Sequence, residues 1–426
     1  MRRSARHLLR LLAILLGLVA VLALAAWLAL RASLPELDGE APLAGLDASV
    51  LIERDRLGVP LIRGANRLDV ARATGFLHAQ ERFFQMDLTR RAAAGELAGL
   101  LGGALLDTDR RIRLHRFRAR ARAALQDVEA ADGALLKAYA EGVNAGLARL
   151  RARPFEYLVL RAEPAPWTAE DSLLAVFAMW VDLQGTEARL EQQRDRLATA
   201  LPEPLYRLIT AAGSTWDAAL DGSTTESVPL PSAEDYDLRA VDPALFEAAG
   251  KAAGNPLRLT AADEQNALLG SNNWALAGSR TASGHAMVAN DMHLGLRVPN
   301  TWYRARLVAA AEDLDASGAT LPGVPAIVAG SNGHVAWGFT NSYGDYQDLV
   351  IVEPVAGLPD HYLTADGPRP FERHEEILQV AGADPQTLVV SETIWGPVIG
   401  EDAQGRPLAL AWTAHRPAAM NFGLLR

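Results

Sequence analysis

The chain has no cysteine among its 426 residues. That excludes disulfides, a thiolate nucleophile and a cysteine-ligated zinc, and it leaves redox usage silent about compartment. Long basic runs are also missing beyond the N-terminus. With 41 basic and 51 acidic residues the net charge is -10, so nothing recommends a nucleic-acid surface and no nucleic-acid partner is expected. Low-complexity stretches and internal repeats are absent as well. What is present is a half-apolar composition, ample for a substantial core over one large domain or two ordinary ones.

One long apolar run occurs, at the N-terminus, in "MRRSARHLLRLLAILLGLVAVLALAAWLALRASLPELDG". Arg2, Arg3, Arg6 and Arg10 precede an uncharged stretch from Leu11 to Leu30, about the 20 residues that a spanning helix needs. The arginines should stay cytoplasmic. The run exceeds the roughly 7 to 15 residues of a usual signal-peptide core, so residues 1–34 are expected to form an uncleaved anchor or a secretory signal. A soluble core helix would show a polar face, and this run has none. The remainder is therefore expected in the periplasm or another extracytoplasmic space, joined to the membrane through this segment.

After the linker comes "ASVLIERDRLGVPLIRG", whose β-branched runs flank a turn and predict a hairpin or paired extended segments. From Arg67 to about Ala200 the pattern is helical, broken at "LGGALLD", "ARPFEY" and "AEPAPWTAED"; in the last, Thr168 precedes an acidic turn and a long apolar helix. Residues 211–267 are polar and loop-rich, resembling a connector or removable spacer. Past Ser271 short apolar runs alternate with Gly, Asn, Asp and Pro, and Asn332-Gly333 predicts a tight hairpin.

A helical half, a disposable connector and then strands beginning at a lone serine make Ser271 a candidate nucleophile. It needs a base, commonly a histidine or a terminal α-amine. A nucleophile elbow fails, because "GSNNW" lacks G-x-S-x-G between a strand and a helix. A conventional triad stays open, since His285, His293, Asp291, Asp345 and Asp348 could converge. Cutting the bond between Gly270 and Ser271 would instead place hydroxyl and base on one residue.

"GSNNWALAGSRTASGHAMVANDMHLG" resembles the start of the β-subunit of the penicillin acylase family of N-terminal nucleophile hydrolases, with a Gly-Ser-Asn junction, a tryptophan three residues beyond the serine, and Asn290, Asp291 and His293 closing the second strand. "LPGVPAIVAGSNGHVAWGFTNSYGDYQDL" resembles the next two strands of that family. "RDRLGVPLIRG", "ATGFLHAQERFFQMDLTRRAAAGELAGLLG" and "PAPWTAEDSLLAVFAMW" resemble its α-subunit. The likeness runs from about Ala48 to the last residue, with little support in the connector.

The resemblance implies an α+β fold, the four-layer αββα sandwich with a mainly helical α-subunit portion. It implies a signal or anchor over 1–34, an α-subunit over 35–245, a spacer over 246–270 and a β-subunit from 271. Gly270 and Ser271 would form the autoproteolytic junction, and the α and β chains of one precursor would stay together. Ser271 would attack a linear amide with its own freed amine as base, the backbone amide of Asn341 would stabilise the oxyanion, and His293 would contact that amine. One structural calcium ion is implied, held by Asp345, the Gln347 carbonyl and Asp348, with Glu187 from the α-subunit and Glu191 close behind. Carboxylates and carbonyls are the hard oxygen donors calcium takes.

The likeness stops at "LAWTAHRPAAMNFGLLR", before the family's second oxyanion donor, and Asn421 does not take that role. The chain is therefore expected to hold an incomplete β-subunit. Phe83, Phe84, Phe177, Met179 and Trp180 lie near the family's pocket helices, though aromatic and Met residues at helical spacing usually serve the core. The expected substrate is a small-molecule amide, a β-lactam side chain or an acyl-homoserine lactone. Two other readings compete: a catalytically silent, membrane-tethered binding module of the same fold, and a conventional Ser/His hydrolase.

Overall fold

A computed structural model of the chain describes residues 2–185, 187–235, 237, 239, 270–342, 344–420 and 423. Most of the expected 246–270 spacer, and Asn421, lie outside them. The first part is helical: α1 (Arg2–Ala32), α2 (Arg67–Ala94), α3 (Ala98–Leu101), α4 (Leu106–Arg113), α5 (Phe117–Gln126), α6 (Ala130–Arg149), α7 (Phe155–Leu160), α8 (Ala169–Gln184), α9 (Glu187–Ala200) and α10 (Glu203–Ile209). The strands β1 (Leu51–Arg54) and β2 (Pro60–Gly64) precede α2. After Gly270 come β3 (Gly270–Leu276), β4 (Met287–His293), β5 (Tyr303–Ala309), β6 (Leu314–Thr320), β7 (Ile327–Ser331) and β8 (Ala336–Trp337). They are followed by β9 (Gln347–Ile351), β10 (Pro354–Val355), β11 (Leu358–Thr364), β12 (Gly367–Pro370), β13 (Glu372–Val380), β14 (Ala383–Glu392), β15 (Val398–Glu401) and β16 (Pro407–Trp412). The class is α+β, as the family resemblance implies.

The largest sheet has the order β1-β2-β5-β6-β7-β8. The β1–β2 hairpin expected around "RDRLGVP" forms, its turn closed by the Asp55 carboxylate on Leu57 N and Val59 N. β2 then runs parallel to β5, with Leu61 opposite Arg306 and Gly64 opposite Ala309, while β5, β6, β7 and β8 are antiparallel neighbours. Strands from both sides of Ser271 therefore share one ladder. The Asn332-Gly333 hairpin also forms, with a loop in which the Asn332 carboxamide accepts from His334 N and Val335 N.

Helix α2 lies on this sheet and is the centre of the first part. Asn66 caps its start by accepting from Asp69 N, and Gly95 ends it in the left-handed conformation at φ 65, where a side chain would be strained. α6 packs against α2 at backbone contact. A Cβ on Gly142 would stand 1.9 Å from Arg72 O, one on Gly75 2.2 Å from Tyr139 O and one on Gly146 2.3 Å from Phe76 O. Glycine at these three positions lets the helices approach closer than any other residue permits. α8 completes the layer, with the Thr168 start expected from sequence realised as a capping box with Asp171.

Arg90 fixes how α8 is mounted. Its guanidinium donates to Asp87 Oδ1, to Asp171 Oδ2 at 2.7 Å and to the carbonyls of Ala165 and Pro166, both at 2.8 Å. Burial of this cation is tolerable because every N–H has an acceptor. Tyr157 OH donates to the other Asp87 oxygen at 2.6 Å, and the Arg90 guanidinium lies 5.0 Å from the Trp167 ring centroid.

Beneath α2 a buried chain of hydrogen bonds crosses to the later strands. Gly323 N donates to Tyr139 OH (2.8 Å), Tyr139 OH meets His78 Nδ1 (2.7 Å), His78 Nε2 meets Thr320 Oγ1 (3.0 Å), and Thr320 Oγ1 donates to Tyr303 O (2.8 Å). Because Thr320 spends its proton on Tyr303 O, it accepts from His78. The imidazole is then neutral with its proton on Nε2, and Tyr139 donates to Nδ1.

Burial pushes the His78 pKa down from 6.5 to about 3. The unfolded imidazole takes up a proton near pH 6.5 and the folded one only near pH 3, so stability is whole above pH 6.5. It falls as the medium is acidified, by about 1.4 kcal/mol per pH unit for this residue. Buried His115 and His415 add to the total slope in the same direction, so the share of His78 is read by difference: in urea unfolding between pH 7 and 4 the slope is expected to shrink by about one proton in His78→Asn. An unchanged pH dependence in that variant would refute the buried neutral imidazole.

Candidate active site

The serine occupies the second position of β3, an antiparallel partner of β4 with Gly270 opposite His293, Ser271 opposite Met292 and Asn272 opposite Asp291. This pairing follows from two alternating segments joined by a Gly-rich turn, where Gly284 adopts φ 75. The Ser271 hydroxyl folds back on the Gly270–Ser271 peptide bond and donates to Gly270 O at 2.6 Å. Among the described residues no histidine hydrogen-bonds this hydroxyl.

His293 closes β4 beside the junction. Its Nε2 lies 2.9 Å from Asp291 Oδ2 and 3.4 Å from Asn272 Nδ2. The ring's other nitrogen faces the junction: a Cβ added to Gly270 would stand 3.4 Å from Nδ1. Aspartate and histidine thus sit at the end of the ladder where the serine lies, but on the face opposite its side chain, and the hydroxyl points to its own peptide bond.

Asn290 holds a second segment against this ladder. Its amide nitrogen donates to Phe339 O at 2.9 Å, and its carbonyl oxygen accepts from Phe339 N at 3.2 Å. A carboxamide satisfies both backbone groups of one residue, as a neighbouring strand would. Gly338 makes the approach possible, since a Cβ there would meet the Asn290 side chain at 2.7 Å. Asn341, two residues beyond Phe339, is carried toward the same ladder. Its own side chain is engaged with Leu183 O at the end of α8, at 3.0 Å, so any oxyanion contact would fall to its backbone N–H.

The expected acidic cluster assembles with one change of emphasis. Ligand oxygens of Glu191, Asp345 and Asp348 lie within 4.8 Å of one another. Glu191 comes from α9 and also accepts from Leu349 N at 2.9 Å. Desolvation raises its pKa, and the neighbouring Asp348 and Asp345 raise it further against the Leu349 hydrogen bond. The side chain of Glu187 lies outside the described residues. Gln347 is buried, its amide spent on Gln184 O (2.7 Å) and Ala188 N (2.9 Å), so a ligand role would fall to its main-chain carbonyl.

Of the apolar candidates, Phe83 and Phe177 are fully buried and belong to the core, while Phe84, Met179 and Trp180 are partly buried against it. Asp182 was missed by sequence reasoning. It follows "FAMWV" near the end of α8, and desolvation raises its carboxyl pKa while Arg297, just past β4, lowers it. A single charge closing an apolar helix next to the Asn341 contact was the available signal.

Comparison with known proteins bears on this geometry. A family profile described as penicillin amidase matches residues 49–425. The chain is 34% identical over 411 residues to the penicillin acylase 2 proenzyme of Pseudomonas sp. (strain SE83), covering 93% of this chain and 50% of that protein. It is 33% identical to the acyl-homoserine lactone acylase QuiP of Pseudomonas aeruginosa, covering 86% and 42%. A solved penicillin G acylase from Alcaligenes faecalis, in tetragonal form, is 25% identical, with a TM-score of 0.36 over 43% of this chain and 98% of that one. The chain thus spans about half the length of the curated relatives it matches.

Asn290→Asp is expected to break one arm of the double hydrogen bond, since a carboxylate cannot donate to Phe339 O. A loss of about 1–3 kcal/mol and faster amide exchange at Phe339 and Asn341 should follow. Exchange rates matching those of the parent chain would sink the claim that Asn290 ties these segments together.

Proposed function

The chain belongs to the penicillin amidase family, and on that premise we propose that it is the precursor of an amidohydrolase whose nucleophile is Ser271. The observation that carries the reading is the Ser271 hydroxyl lying 2.6 Å from Gly270 O, on the very bond whose cleavage would free its amine. In the proposed maturation, Ser271 Oγ adds to the Gly270 carbonyl carbon and the C–N bond breaks. The hydroxyl proton passes to the nitrogen, which leaves as the neutral Ser271 amine, and water hydrolyses the resulting ester to a Gly270 carboxylic acid, which ionises, and a free hydroxyl.

In the proposed turnover the neutral amine takes the hydroxyl proton, through a water, as Oγ attacks a substrate amide. The acyl group passes to Ser271 and the substrate's amine departs, after which water releases the carboxylic acid. The backbone N–H of Asn341 is the proposed oxyanion donor, supported by the Asn290–Phe339 tie that brings its segment beside β3. His293, beside the junction and bonded to Asp291, is proposed to orient the freed amine. The substrate class is a linear amide with an apolar acyl group, as in the β-lactam side chains and acyl-homoserine lactones after which the relatives are named. The finer architecture proposed is the four-layer sandwich, and the proposed location is extracytoplasmic, supported by the apolar segment Leu9–Ala32, long enough to cross a membrane.

A structural calcium ion is proposed at Glu191, Asp345 and Asp348, with the Gln347 carbonyl as a further donor. Three carboxylates this close repel one another, and a divalent cation would offset that repulsion. The ion would join α9 to the loop leading into β9, tying the parts on either side of the junction.

Ser271→Ala is expected to leave the bond after Gly270 uncut in the expressed protein, read by intact mass. A mature fragment beginning at residue 271 in that variant would overturn the intramolecular attack. For the metal, calcium titrated to about one hundred times its Kd should stabilise the folded chain by about 2.7 kcal/mol. Glu191→Ala should abolish the gain; a chelator-insensitive melting temperature in the parent chain would defeat the assignment.

A further inference from the structure

We propose that, beside the end of α1, the body of the protein presents a surface that lies on the bilayer, made of Leu34, Leu37, Phe155, Val159, Arg151 and Arg161. The proposal rests on the reading of α1 as a membrane-spanning segment and adds to it where, and with which face, the body meets the lipid.

The first observation is how α1 joins the rest. Its membrane-length segment Leu9–Ala32 is free of burial inside the protein, so the helix stands clear of the body along its apolar length. The join is made only where the helix ends. Ala152 N donates to Ala32 O at 3.0 Å, Ser33 is buried, and Glu36 is bridged by Arg149, at 3.1 Å, and by Arg151. A flexible tether would let the body swing free; these contacts hold residues 149–152 at the level where the helix leaves the lipid. That level is marked within α1 by Trp27, with the Arg31 guanidinium 5.5 Å from its ring centroid, a pairing suited to the headgroup boundary.

The second observation is what the body shows at that level. α7 follows directly. It is mounted rigidly by Tyr157, which is fully buried and bonded to Asp87, and this turns Phe155 and Val159, one helical turn apart, outward. They are 46% and 75% exposed, and Leu34 and Leu37 beside the α1 end are 63% and 62% exposed. These four apolar side chains stay substantially exposed around the foot of a membrane-length helix. Arg151 remains 76% exposed, and Arg161 is exposed at the end of α7. Apolar side chains interleaved with arginines suit the acyl-headgroup boundary, where the first enter the lipid and the second meet phosphates.

The absence of native cysteine permits a clean test. Single variants Phe155→Cys, Val159→Cys and, as reference, the exposed turn position Asp366→Cys would carry an environment-sensitive fluorophore in the full chain, reconstituted into phosphatidylcholine–phosphatidylglycerol vesicles. Quenching by nitroxide lipid is expected to be at least threefold stronger at 155 and 159 than at 366. A chain retained on vesicles through carbonate washing, but with 155 and 159 quenched no more than 366, would overturn this surface while leaving the anchor intact. A chain released by the wash with α1 still attached would overturn both.

Discussion

The two parts of this molecule are locked in register by a buried link, the hydrogen-bonded relay from Gly323 N through Tyr139, His78 and Thr320 to Tyr303 O. Each of the three side chains donates once and accepts once, so none is left unsatisfied in a dry interior, where an orphaned polar group costs about 1–3 kcal/mol. The relay sits where α2 and α6 touch at their backbones and where β5 and β6 meet α2. Its direction is set by Thr320, whose commitment to Tyr303 O decides the tautomer of His78. A relay with a single protonation state and no spare partners holds its helices and strands in one register.

A second set of contacts repeats the logic with charge. Arg113 and Arg116 reach Glu376, and Arg116 and Arg120 reach Glu392, so that α4 and α5 grip the β13–β14 hairpin. These pairs are partly exposed, so their individual contributions are modest and screened by salt. Beneath them His115 and His415 lie 3.1 Å apart among Phe117, Trp412 and Phe177, where burial holds the His115 pKa down to about 4. Together with the shared sheet, in which β2 pairs with β5, these contacts would keep the parts together after any scission between residues 270 and 271.

The β3–β4 ladder is different in character. Trp274 and Met287 are about half exposed on it, and its attachment to the body runs through the Asn290 carboxamide on Phe339. A strand start held by few packing contacts leaves the peptide bond after Gly270 reachable, and a hydroxyl one residue away is the nearest nucleophile. The acidic cluster, by contrast, is formed by a helix and a loop far apart in sequence, and desolvation, with a smaller push from Asp348 and Asp345, raises the pKa of Glu191.

Much of this was legible in one dimension. The α2 and α8 helices, the Thr168 start, the two hairpins and the alternating strands after Ser271 follow from local periodicity, caps and turns, which act over a few residues. That β4 closes on His293 was available through the family resemblance rather than through local periodicity. Sequence alone did not reveal that the Asn290 carboxamide would stand in for a strand, or that Glu191 would be the acid gathered with Asp345 and Asp348. These groups meet across 49 and more than 150 positions, and only the packing of glycine-lined helices against a shared sheet decides which distant side chains come within a few ångströms. Local chemistry is written in neighbouring residues; convergence belongs to the three-dimensional arrangement, because it is set by which surfaces can bury one another without leaving a polar group unpaired.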